Sequence, residues 1–284
     1  MKHLFFIAFC LITATTYSQD NPQSLFWNNY SLTNPAATGL FNKHYASVTG
    51  RNQWSKLNYS RKNLNAIYDY QLSKHHSLGA NFMYYQVDYF KENKVSINYA
   101  YQFPLTIKGN LSIGSSINFK NIEKEYLWIT PDGTPPINDP LIPTHSSKNY
   151  IDFNFGAMFK TDKMLLGIGY IDGINKSNSR KIFSTISYDV NITKNISLTP
   201  RFQSRYEFYY TGYNQMSVDI NLTSTFNKMF NVGFSYRTND WFGINAGINF
   251  KEKFTVCYAF DYSGKVLNLS FGNTHELGLV MKLN

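Results

Sequence analysis

Residues 95–103 read Val-Ser-Ile-Asn-Tyr-Ala-Tyr-Gln-Phe. The odd positions Val95, Ile97, Tyr99, Tyr101 and Phe103 are large and apolar or aromatic; the even positions Ser96, Asn98, Ala100 and Gln102 are polar or small. Successive side chains of a strand point to opposite faces, so a period of two sets one face against an apolar medium and the other against water or a small-residue interior. The same phrase returns over 216–222, 230–236, 242–250 and 254–262. Such a chain is all-β, and the repetition predicts a transmembrane antiparallel β-barrel of about 14 strands.

Working outward from that stretch, strands are expected near 44–53, 63–72, 77–87, 94–103, 110–122, 150–160 and 164–171. Seven more are expected near 180–190, 196–207, 214–225, 230–237, 241–250, 254–262 and 274–283. An even count puts both chain ends on one side. Connections after even-numbered strands (73–76, 104–109, 161–163, 191–195, 226–229, 251–253) are short, and the longest connection, 123–149, follows an odd-numbered strand. That is the pattern of short periplasmic turns and longer outer loops; only 238–240 is too short for it. The faces expected inside are small and polar: Ser112, Gly114, Ser116 and Asn118 on one strand, Gly243, Asn245, Gly247 and Asn249 on another. A soluble barrel or sandwich, the structural alternative, would fill its interior with large side chains. Pro200 predicts a bulge in the ninth strand or a later start to it.

Composition agrees with this class. The 284 residues are 17% aromatic, with 22 Tyr and 23 Phe, and contain no apolar run of eighteen, which argues against a helical membrane protein. The formal charge of +9 is scattered along the chain and argues against nucleic acid. Solvated loops and the anionic headgroups of outer-membrane lipid account for it more simply.

Met1-Lys2-His3 followed by the apolar stretch 4–12 reads as a signal peptide, with cleavage after Ser18. The expected organisation is a signal peptide over 1–18, a periplasmic N-terminal segment over 19–42, and an outer-membrane barrel over 43–284. Cys10 sits within the apolar stretch behind bulky Phe9, which argues against a lipidation site. Its removal leaves Cys257 as the one thiol, so no intramolecular disulfide is expected.

The sequence offers no constellation for catalysis, and no metal or cofactor is expected. His75-His76 falls on a predicted turn without ligands at metal spacing. His275 and Glu276 are neighbours on a predicted strand and so face opposite sides, which favours a structural or partner-binding use. No Gly-x-Ser-x-Gly, Walker loop or dinucleotide fingerprint occurs. The segment 123–149 carries Trp128, Pro131, Pro135, Pro136, Asp139, Pro140 and Pro143. Proline at that density disfavours helix and pre-stiffens a loop, so the segment is a candidate plug, lid or docking surface, against the simpler reading of an ordinary surface loop.

Before the first strand, Asn34-Pro35-Ala36-Ala37-Thr38-Gly39 reads as an entry turn, since Pro35 cannot extend a ladder and Gly39 permits reversal. Asn34-Pro35-Ala36 with Gly39, then Arg51-Asn52-Gln53-Trp54, and late in the chain His275-Glu276-Leu277-Gly278, resemble the signature of the PorP/SprF outer-membrane proteins. The resemblance runs from the expected mature start to the end, and Asp139-Pro140 resembles a pair in the family's corresponding loop. It implies a non-enzymatic outer-membrane component of type IX secretion and gliding in Bacteroidota. Such a component would support surface delivery or anchoring of a secreted adhesin or other cargo, alongside periplasmic components of the system. Two departures stand out: Asn284 replaces the usual aromatic last residue, and the connection after Trp54 is short and basic (Lys56, Arg61, Lys62). A passive diffusion porin, with inward Ser, Asn and Gly suited to water, is the alternative function, and a membrane lipase or protease a third.

Overall fold

The computed structural model describes residues 23–57, 59–106, 109–125, 145–171, 180–209, 214–238, 241–263 and 272–284. The expected signal peptide and the candidates Trp128, Asp139 and Pro140 lie outside the described residues. The strands are β1 (His44–Gln53), β2 (Arg61–Gln71), β3 (His76–Val87), β4 (Phe90–Thr106), β5 (Gly109–Glu125), β6 (His145–Thr161), β7 (Met164–Ile171) and β8 (Arg180–Tyr188). They continue with β9 (Val190–Asn191), β10 (Ile196–Phe208), β11 (Asn214–Phe226), β12 (Phe230–Arg237), β13 (Trp241–Phe250), β14 (Phe254–Ser263) and β15 (Thr274–Leu283). Each pairs antiparallel with its neighbours, and β15 pairs with β1 to close the ring. Because β8 and β9 are two parts of one pass, the barrel has 14 strands.

Period-two patterning puts the apolar residues outside. Ile97, Tyr99, Ile220, Ile244 and Ile248 are exposed on the outer wall, while Ser96, Asn98, Ser112, Ser116, Asn118 and Asn245 are buried inside. Val218 has the outward parity of Met216 and Ile220 yet is buried. It sits at the barrel mouth, where Thr238 comes back from the end of β12 to bond both its N–H and its carbonyl, each at 3.0 Å.

Pro200 breaks the wall elsewhere than expected. Strand β10 runs straight through it with an unshifted ladder to β11, and the interruption falls on the other neighbour, between β8 and β9. The pairs Arg201 with Ser187 and Leu198 with Val190 keep one register, so no residue is inserted. Proline has no N–H to give to a partner strand, and Asp189 instead accepts from Thr199 Oγ1 at 2.6 Å.

The two ends of the barrel differ. At one end the reversals are tight, including the pairs Asn227-Lys228 and Lys251-Glu252, all four at positive φ, whose twist suits a two-residue hairpin. Histidine and tyrosine side chains pair outside this rim, His44 with Tyr68 at 3.0 Å and His76 with Tyr99 at 2.8 Å. At the other end β4, β5 and β6, each 17 residues long, rise above strands of 8 to 10 such as β12 to β15. A bilayer needs about 9–11 residues of tilted strand, so this wall projects beyond the membrane. Its rim is polar, with Lys91 3.1 Å from Glu125. The ends of the expected loop 123–149 are therefore strand: Glu123 pairs with Ser147 and Glu125 with His145.

The largest departure concerns the segment before β1. It forms a 3-10 turn at Phe26–Asn28, one helical turn at Tyr30–Thr33 and a second 3-10 turn at Pro35–Ala37. Its residues bond inward side chains on β1, β3, β14 and β15 and carbonyls on β6 and β7, so it lies inside the ring. Residues 23–42 of the expected N-terminal segment thus lie inside the ring and plug the lumen. Fourteen strands enclose more space than their own side chains fill, and the apolar residues Leu25, Phe26, Trp27, Tyr30 and Leu32 find burial there. The plug enters at the projecting end, where Arg237 Nη2 donates to the Gln23 carbonyl at 3.1 Å. It leaves at the tight-turn end, where Asn42 donates to Asn284 Oδ1 at 2.8 Å.

Replacing outward Ile220 with arginine is expected to cost about 2–4 kcal/mol in reversible folding if it lies at the bilayer midplane, and Thr225→Arg, facing the lumen, less. Equal losses would contradict the inside-out reading. Orientation is checked separately: Lys56→Cys, at the projecting end, is expected to react with a membrane-impermeant maleimide on intact cells. Lys194→Cys, in a tight turn, is expected to react only after lysis.

Candidate functional site: the plugged lumen

Arg51 on β1 is the centre of the site. It is buried, and its Nη1 donates to Ser24 Oγ at 2.6 Å and to Glu276 Oε2 at 2.8 Å, while Nη2 donates to Asp261 Oδ2 at 2.9 Å. Glu276 on β15 is the direct ladder partner of Arg51, so this ion pair spans the seam where the ring closes. Its carboxylate also accepts the backbone N–H groups of Ser24 at 2.7 Å and Leu25 at 3.2 Å. Ser24 Oγ in turn donates to Asp261 of β14. One guanidinium, two carboxylates and the start of the plug form a closed set in a site sheltered from water. Nearby, Arg237 pairs with its ladder partner Asp219, so the first plug residues meet two buried ion pairs.

Further down, the Asn34-Pro35-Ala36 turn docks into a trough. Ala100, Gly114, Gly156 and Gly169 stand in register across β4, β5, β6 and β7. A Cβ on Gly114 would strike the Pro35 and Ala36 backbone, one on Gly156 the Asn34 amide, and one on Gly169 the Thr33 carbonyl. Asn34 Oδ1 accepts from Ala36 N at 3.0 Å and caps the turn, while Nδ2 donates to the carbonyls of Ala157 and Ile168 at 3.0 and 3.1 Å. Below it, Gly39 adopts φ +64 against Ser77, which lets the chain reverse toward β1. Between these anchors Phe26, Tyr30, Ala36, Leu40, Met158 and Leu165 make an apolar core within an otherwise polar lumen.

A family model described as "Type IX secretion system membrane protein PorP/SprF" matches residues 15–281. The chain belongs to that family. It is accordingly an outer-membrane protein of the Bacteroidota type IX secretion system. No curated protein matches it. Among solved structures, the CymD monoaromatic hydrocarbon channel is similar over 89% of this chain and 92% of its own, with a TM-score of 0.51 and 10% identity. The TodX monoaromatic hydrocarbon channel deltaS2 mutant covers 89% and 93%, with a TM-score of 0.50 and 8% identity. At such identities the likeness is one of fold.

In this PorP/SprF barrel the motifs that are far apart in sequence divide into two working sets. Arg51 and Glu276 meet directly; Asn34, Pro35 and Gly39 seat the plug. Trp54 stands apart at the projecting mouth, at φ 63, with the Arg61 guanidinium 4.3 Å from its ring and Trp241 at 6.4 Å. His275 faces outward, as strand parity requires, with Nδ1 2.7 Å from the Tyr258 hydroxyl. Among the described residues no cluster of three or more His, Cys, Asp and Glu has the geometry of a metal site. Sequence reading missed Ser24, Asp261, Arg237 and Asp219, and the glycine row. Gly167 and Gly169 two apart on one strand were the available hint of a close approach; the charged residues carried no hint, because inward carboxylates also suit a wet pore.

Arg51→Met would leave Glu276 and Asp261 buried without their cation, and is expected to destabilise the barrel by about 3–5 kcal/mol. The double variant Arg51→Met/Glu276→Met should lose clearly less than the sum of the singles in a double-mutant cycle. Additive losses would mean the two do not act through each other.

Proposed function

We propose that this PorP/SprF barrel supports the surface delivery or anchoring of a secreted adhesin or other cargo protein, working with periplasmic components of type IX secretion. The observation that carries the reading is the plug. With residues 23–42 bonded to strands around the ring, chain crosses the lumen from one mouth to the other, and the work falls to the mouths of the barrel rather than to free diffusion through it. Family membership supplies the system, and the mouths supply two different surfaces. The projecting wall of β4 to β6 carries the connection 126–144, which holds Trp128, Asp139 and Pro140. An aromatic on a proline-rich connection can bury a large area on a partner at low entropic cost. Trp54 and Arg61 stand at the same mouth.

Replacing 126–144 by a short Gly/Ser connection, leaving the paired ends 123–125 and 145–149 intact, is the test. Loop length affects stability weakly, so the barrel should assemble at its normal level. Surface display of at least one secreted protein should fall, with Trp128→Ala giving a smaller loss of the same kind. Planar-bilayer conductance of the parent should be low and should rise when residues 23–42 are deleted. If the loop replacement leaves surface display unchanged and alters solute permeability instead, the porin reading replaces this one.

A further inference from the structure

The plug leaves part of the lumen unfilled at the tight-turn end. A cavity of about 290 Å³ lies between the plug and the wall there, bordered by Tyr30, Phe41, Asp69, Lys160 and Asp189. A second cavity of about 180 Å³ adjoins it, and Trp27, Asn28, Arg201 and Lys282 border both. The smaller cavity is lined by hydroxyls and amides, among them Thr223, Thr225, Thr255, Asn231 and Asn249, and by no carboxylate.

Arg201 and Lys282 point into this space from inward positions on β10 and β15. The Arg201 guanidinium lies 4.8 Å from the Trp27 ring centroid, its Nη1 donates to Asn221 Oδ1 at 3.1 Å, and it also bonds the Tyr30 hydroxyl, while the Asp189 carboxylate attracts it from the side of the larger cavity. Among the described residues neither cation belongs to an ion pair, in contrast to Arg51, Arg237, Lys181 and Arg205, each paired with a carboxylate. Two cations bordering the same pair of cavities repel each other, and partial burial raises that cost. An anion held between them would relieve it. Guanidinium and ammonium on one cavity, with hydroxyl and amide donors around, match the paired oxygens of a carboxylate.

We propose that Arg201 and Lys282 form a carboxylate-binding site in the lumen, reached from the tight-turn mouth. The carboxylate belongs either to a small organic diacid or to an acidic side chain of a peptide inserted from that side. The site stands independently of which cargo the barrel serves. The Trp27 face that stacks on Arg201 is part of the plug, so the ligand touches plug and wall together.

The test uses the full chain in detergent micelles at low salt, titrated calorimetrically with glutarate and, separately, with acetyl-Glu-Glu-amide. Saturable binding of at least one probe is expected, weakened about tenfold by Lys282→Met, as for loss of one charge-assisted contact, and weakened by added salt. Lys228→Met, an exposed lysine at the same end, should leave binding unchanged. Arg201→Gln should also weaken binding, but it loosens the plug as well, so Lys282→Met decides. Binding of glutarate alone assigns the free acid as source, and binding of the peptide alone assigns the inserted chain. No saturable binding of either probe, or binding indifferent to Lys282→Met, would overturn the proposal.

Discussion

The buried guanidinium of Arg51 is the constraint on which the rest of the structure depends. An isolated charge in such a site costs several kcal/mol, and removing one partner of a buried pair leaves that cost exposed. Arg51 meets it with Glu276 across the closing seam and with Asp261 one strand further. Both carboxylates also hold Ser24. Closure of the ring and seating of the plug therefore satisfy the same three charges. A barrel closed without its plug would leave Glu276 and Asp261 short of the donors from Ser24 and Leu25.

The second constraint is steric. A plug with its own backbone must approach the wall closely, and close approach needs positions without side chains. The row Ala100, Gly114, Gly156 and Gly169 provides it over four neighbouring strands, and the Asn34 amide then bonds two wall carbonyls. Glycine in a strand interior weakens that strand. Here the loss is offset by a docked turn with its polar groups satisfied, and by the apolar core that Phe26, Tyr30, Met158 and Leu165 build around it. The arrangement inverts a soluble protein: lipid-facing residues are large and apolar, the wall's inner face is polar, and a small core lies at the centre.

These constraints also separate the two mouths. At the projecting end the plug is fixed by buried ion pairs, and the wall rises out of the bilayer with a polar rim. At the tight-turn end the plug is held by the Asn42–Asn284 hydrogen bond and by no buried ion pair, and unfilled space with Arg201 and Lys282 remains beside it. Partners on the two sides of the outer membrane thus meet surfaces of different chemistry, joined by one stretch of chain running between them.

How much of this was legible follows from the range of each force. Alternation at 95–103 and its repeats fixed the fold class, the lipid face and the even strand count, because side-chain parity is a local property of a strand. Parity also placed His275 and Glu276 on opposite faces. Local rules failed where a neighbour decided the outcome. Pro200 disturbed the strand beside its own, Val218 was covered by Thr238, and β4 to β6 ran on into segments read as loop because their polar residues pair across strands. The plug lay furthest from reach: residues 23–42 carry turn chemistry and scattered aromatics, which suit an entry segment equally well. Only closure of fourteen strands creates the space that draws this segment in, and only register brings Arg51 to Glu276 and aligns the glycines of three strands under Asn34. Those are properties of the closed ring, held in contacts between residues far apart in the sequence.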